Sequence, residues 1–98
     1  MRSLEEIKEI LQRHKEEIRE RYKVEIIGVF GSYARGEQRD TSDVDILVEL
    51  IEPIGLKFFE LWDYIESILG IEVDLITLNA LKQKSLLWES VKEDLIYV

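Results

Sequence analysis

The chain of 98 residues contains no cysteine, which excludes a disulfide scaffold, a thiolate metal site and a cysteine nucleophile. Histidine occurs once, at His14, too seldom for a histidine-rich metal centre or a relay of imidazoles. No apolar run approaches the roughly 18–20 residues that cross a bilayer. The opening MRSLEEIKEI lacks the apolar stretch of a signal peptide, so a cytoplasmic protein is the expectation. Basic residues are scarce beyond Lys23. Residues 24–98 carry six Lys/Arg against fifteen Asp/Glu, whereas residues 1–23 carry seven against six, and the net charge is −8. Such a surface repels a polyanion and argues against binding long nucleic acid through phosphate neutralisation. A small phosphorylated substrate that arrives with divalent cations remains compatible with it.

Apolar residues make up 46% and charged residues 35%, the balance of a globular chain with room for one core. A single domain over residues 1–98 is expected, with an N-terminal helix over 1–23 and a core over 24–98. Ser3 and Glu6 form a capping-box pattern. Leu4, Ile7, Leu11, His14, Ile18 and Tyr22 then recur at helical spacing, with His14 packed in or beside the stripe. Val24–Phe30 reads as a buried strand. Asp43–Leu50 alternates, with Val44, Ile46 and Val48 on one face and Asp43, Asp45, Leu47 and Glu49 on the other. Pro53 and Gly55 precede a helix over about Leu56–Leu69, with Phe59, Trp62, Ile65 and Leu69 on its apolar face and Gly70 at its stop. Ile71–Thr77 reads as a third strand and Ser85–Glu93 as a last helix; residues 79–84 are ambiguous, and Leu95–Val98 suits a short terminal strand.

A helical crossover between the second and third strands favours a parallel β-α-β unit. The stretch Gly31–Thr41 is too long for a tight hairpin and suits an antiparallel return. The expected class is α/β (α+β): a small mixed sheet with helices packed against it.

Asp43 and Asp45, two apart on a strand, leave the same face. A parallel neighbouring strand lies only ~4.8 Å away, so Asp74 can point at the same spot. Converging carboxylates repel and resist desolvation unless protons or cations compensate them. Magnesium or manganese is the natural compensation for such oxygen donors. Each acid alone has a plainer use: Ser42-Asp43 suits a turn cap, and Asp74 suits a solvated edge strand. Glu72 shares the parity of Asp74, but Asp74 is flanked by Val73, Leu75 and Ile76, where an unpaired acid is harder to accommodate.

Gly31 lets backbone approach a ligand, and Ser32 offers a hydroxyl and an amide to a phosphate oxygen. A one-turn helix from about Ser32 would aim free N–H groups at an anion. Arg35 and Arg39 are candidates to balance a triphosphate, with pairing to Glu37 or Asp40 as the alternative. Tyr33, Trp62 and Trp88 suit packing.

The run GSYARGEQRDTSDVDILV, from Gly31 to Val48, resembles the glycine-serine and paired-aspartate motif of the DNA polymerase β-like nucleotidyltransferases, and most closely the minimal nucleotidyltransferases, the MntA-like antitoxins. The likeness spans about residues 24–98, with the third acid in Glu72-Val73-Asp74-Leu75. It implies transfer of a nucleoside monophosphate from ATP or another nucleoside triphosphate, assisted by two metal ions, with pyrophosphate leaving. Gly31 and Ser32 would then hold phosphates, joined by Arg35 and Arg39. Asp43, Asp45 and Asp74 would be the metal ligands and catalytic acids. The likeness also implies a HEPN-type helical toxin as partner and a toxin tyrosine as acceptor. Neutralisation of a HEPN ribonuclease by binding alone, or transfer to an aminoglycoside-like small molecule, are the alternatives.

Overall fold

The computed structural model describes residues 2–98. Helix α1 spans Leu4–Tyr22. The Glu6 amide donates to Ser3 Oγ at 3.2 Å, and the Ser3 amide donates to Glu6 Oε1 at 3.1 Å. Glu5 and Glu6 lie in its first turn and Arg19 and Arg21 in its last, each sign facing the helix end that favours it. Ile7, Leu11, Ile18 and Tyr22 are buried. His14 sits at the edge of that stripe, its Nδ1 paired with the Ile10 carbonyl at 2.9 Å and its ring against Tyr64.

Strand β1 (Val24–Phe30) leads through the one-turn helix α2 (Ser32–Arg35) and a polar loop into β2 (Val44–Leu50). Helix α3 (Lys57–Leu69) connects to β3 (Val73–Thr77), and α4 (Leu78–Lys82), α5 (Ser85–Asp94) and β4 (Ile96–Tyr97) follow. The sheet order is β3-β2-β1-β4. Strand β1 runs antiparallel to β2 and β4, while β2 and β3 are parallel, as the helical connection requires. This is the mixed sheet expected from the sequence.

Two apolar layers cover the sheet. Val24, Ile26, Val29, Val44, Ile46, Val48, Val73 and Leu75 pack under α1 and α3. Phe30 and Leu47 face the other way, against Leu81 of α4 and Val91 of α5. The register of β1 shifts between Ile26 and Gly28, so Ile26 and Val29 share a face although three residues apart. That bulge explains why VEIIGVF reads as a continuous apolar run rather than an alternation.

Four details differ from the sequence reading, the first being that β2 starts at Val44 and leaves Asp43 in the preceding loop. Phe59 is 61% exposed, because the buried row of α3 runs through Leu61, Ile65 and Leu69, and Phe59 lies about 200° round the helix from Leu61. Strand β3 starts at Val73 rather than Ile71. There the Glu66 carboxylate accepts from the Val73 amide at 2.9 Å, and Trp62 Nε1 donates to the Val73 carbonyl at 2.8 Å. Of the ambiguous residues 79–84, the first four belong to α4, capped by Thr77 Oγ1 accepting from the Ala80 amide at 3.2 Å.

The C-terminal strand docks closely on β1. A Cβ at Gly28 would collide with the Ile96 carbonyl, so the strand needs glycine opposite it. The Val98 amide donates to the Ile27 carbonyl at 3.0 Å, and Lys15 Nζ donates to the Val98 carbonyl at 2.8 Å. Gly28→Ala is therefore expected to lower the unfolding free energy by about 1–3 kcal/mol in urea denaturation. An unchanged denaturation midpoint would show that β4 accommodates the methyl group.

Candidate active site

In the parallel β2–β3 pair, Asp45 and Asp74 are direct register partners, on the sheet face that carries Leu47 and Ile76. Asp45 is half-buried and Asp74 exposed. Asp43 lies in the loop just before β2, where the Val44 amide donates to the Glu72 carbonyl at 3.0 Å. Burial, then the charges of Asp74 and Asp43, push the Asp45 carboxyl up to about 6. Arg35 acts in the opposite direction. Asp74, rather than Glu72, stands beside Asp45; Glu72 lines a shallow cleft of ≈ 210 Å³ with Asp40, Ser42 and Asp43.

The glycine turn abuts this pair because Phe30, the residue before Gly31, is the β1 register partner of Asp45. Gly31 has φ 76° and ψ −151°, a conformation open to glycine and strained for other residues. A Cβ there would collide with Asp45 Oδ2. The turn and the carboxylate are thus packed as one unit. Tyr33, 2% exposed, anchors α2 in the core, and its hydroxyl is pushed up by burial and by Asp40 and Asp43. The Arg35 amide donates to the Gly31 carbonyl at 3.1 Å, closing the single turn. The N–H groups at its start have no partner within the helix.

The two candidate arginines differ. Arg35 donates from Nε to Glu37 Oε1 at 2.8 Å and from Nη1 to Asp94 Oδ2 at 2.6 Å. Arg39 forms no ion pair among the described residues, though its amide donates to Ser42 Oγ at 2.9 Å. Asp94 had no signal in the sequence, because it lies 59 positions from Arg35 and follows no motif.

The donor chemistry of Asp45 and Asp74 fits a hard divalent cation: two adjacent carboxylates, one of them made harder to ionise by burial and by its neighbour. Among the described residues no three histidine or acidic side chains close into a ready ligand set. A concavity of ≈ 440 Å³ lies at the opposite end of β2 and β3 between Glu49–Pro53 and Thr77–Lys82, away from the carboxylates. No described helix is long and apolar enough to cross a membrane.

The sequence model of the family described as the nucleotidyltransferase domain matches residues 11–98. The protein adenylyltransferase MntA of Thermococcus cleftensis is 52% identical over 99 residues, covering 100% of this chain and 98% of its own. A Methanocaldococcus jannaschii protein, provisionally named a protein adenylyltransferase, is 63% identical over 82 residues, which cover 83% of this chain and 95% of its own. A solved structure provisionally named a minimal nucleotidyltransferase superposes with a TM-score of 0.77 at 31% identity, covering 99% of this chain and 97% of that one. A chain from a toxin–antitoxin crystal structure with AMP-PNP superposes with a TM-score of 0.65 at 27% identity, covering 93% and 68%.

The raised Asp45 carboxyl fixes the sign of a pH effect. In the unfolded chain it titrates near the usual 3.8, and in the folded chain near 6. Its contribution to stability is fully present below the unfolded value and is lost as pH rises through the folded one. In chelator, Asp45→Asn is expected to melt higher than the natural chain at pH 7.5, with the difference vanishing toward pH 4. An Asn variant that melts lower at pH 7.5 would show that the Asp45 carboxylate is stabilised, not strained.

Proposed function

The chain belongs to the nucleotidyltransferase domain family, and from that premise we propose that it transfers AMP from ATP to a tyrosine hydroxyl of a HEPN-type helical toxin. In this reading it is the antitoxin of the pair, and residues 1–98 form one minimal nucleotidyltransferase unit. The observation that carries the reading is the packing of Gly31 against the Asp45–Asp74 pair, which puts a phosphate-sized turn beside paired oxygen donors. Relatives named as protein adenylyltransferases that match this chain end to end support a protein acceptor. The fold shared with a toxin–antitoxin structure containing AMP-PNP supports a toxin partner and the adenine nucleotide.

Asp43, Asp45 and Asp74 would hold the divalent ions, two Mg2+ or Mn2+. When bound, the ions would offset the carboxylate and phosphate charge and polarise the reacting oxygens. Gly31 and Ser32 receive the triphosphate: the glycine admits it close to backbone, and the serine offers its hydroxyl and amide. Arg39, which forms no ion pair among the described residues, would be available to the outer phosphates. The acceptor oxygen bonds to the α-phosphorus, the bond from that phosphorus to the bridging oxygen of the β-phosphate breaks, and pyrophosphate leaves. The acceptor proton passes to Asp74, the exposed member of the pair. Catalysis then rests on orientation and charge, which is why neither cysteine nor histidine is needed. The exposed Asp74 and the shallow cleft leave one side of the site open, and the toxin surface would cover it.

Incubating this chain with ATP, magnesium and a HEPN-type partner is expected to add one AMP to the partner in intact-mass spectrometry. The double variant Asp43→Asn/Asp45→Asn is expected to bind the partner and neither modify nor neutralise it. Neutralisation that survives this variant, with no mass gain from the natural chain, would replace transfer by inhibition through contact.

A further inference from the structure

Arg35 closes the turn that begins at Gly31, and its side chain leaves that turn for the far end of the chain. Two edges of the guanidinium are committed to carboxylates, Nε to Glu37 and Nη1 to Asp94. Asp94 is the last residue of α5 and its side chain is only 19% exposed. The helix beneath it is seated by Val91, buried with Phe30, Leu47 and Leu81. Two residues beyond it, the chain enters β4, where Ile96 is the register partner of Val29. Asp94 therefore stands on a platform fixed to β1, the strand that also delivers Gly31.

We propose that Arg35 is a positioning residue: its ion pair with Asp94 anchors the Gly31–Ser32 turn to the C-terminal platform, and its guanidinium does not hold the nucleotide. Two of its five N–H donors, and the carboxylates that balance its charge, are already committed at 2.6–2.8 Å, so a phosphate would have to compete with both for this side chain. Arg39 carries no such commitment among the described residues. The α5–β4 segment, which supplies no ligand in the proposed chemistry, thereby controls the shape of the phosphate turn. This inference rests on the reading that the Gly31–Ser32 turn binds phosphates.

The two roles for Arg35 predict opposite effects of Asp94→Asn. If the pair anchors the turn, Asp94→Asn and Arg35→Lys, which keeps the charge and loses the fork, each raise the Kd for magnesium AMP-PNP about fivefold. The double variant is then no weaker than the worse single one. Amide hydrogen exchange over residues 31–36 accelerates in Asp94→Asn even without nucleotide. If Arg35 binds phosphate directly, Asp94→Asn frees the guanidinium and leaves the Kd unchanged or lower, with exchange unaltered, and the proposal is overturned. A natural chain that fails to bind magnesium AMP-PNP would overturn the phosphate reading of the turn and this inference with it, a result distinct from the Asp94→Asn outcome.

Discussion

Two carboxylates occupy adjacent positions in a parallel strand pair, and one of them is pressed against a glycine that nothing larger can replace. The repulsion between Asp45 and Asp74, added to the partial burial of Asp45, is the cost around which the molecule is organised. A fold shaped by stability alone would place an apolar pair at those positions, as it does two residues on with Leu47 and Ile76. Arg35 offsets this cost only in part, and the rest of the compensation must come from outside the chain, as a proton or a cation. That requirement connects the sheet register to the chemistry.

The rest of the architecture holds the pair in place. Helix α3 crosses over the sheet and brings β3 alongside β2 in parallel, and Trp62 and Glu66 fix the start of β3 through the backbone of Val73. Helices α1 and α3 bury one face of the sheet completely, so that side can supply the stability. The opposite face is covered only in part, by α4 and α5, with the carboxylates at the uncovered end. Tyr33 pins α2 into the core and Arg35 ties it to Asp94, so the turn facing the pair is held from both sides.

Where the sequence pattern is periodic or punctuated, the structure agrees with it in detail. The alternation of VDILVEL set the faces of β2, Ser3 and Glu6 marked the start of α1, and Gly70, at φ 71°, ends α3. Gly31 was legible as a turn glycine, but its collision partner was not, because closeness to Asp45 depends on the antiparallel register of β1 with β2. Phe59 was misplaced because two neighbouring phenylalanines each fit an apolar face, and only packing against the sheet selects Phe58. The tie between Arg35 and Asp94 left no local trace: it joins distant parts of the chain through tertiary structure alone.

The central claim is that Asp45 and Asp74 form a strained pair relieved by a cation brought with the nucleotide. Carboxyl carbon chemical shifts, followed by NMR across pH with and without magnesium AMP-PNP, measure this directly. One carboxyl of the pair should titrate near 6 in the free protein and fall well below the usual carboxylate range when magnesium and nucleotide are added together. Titration of Asp45 near 4, unmoved by magnesium and nucleotide, would contradict the account.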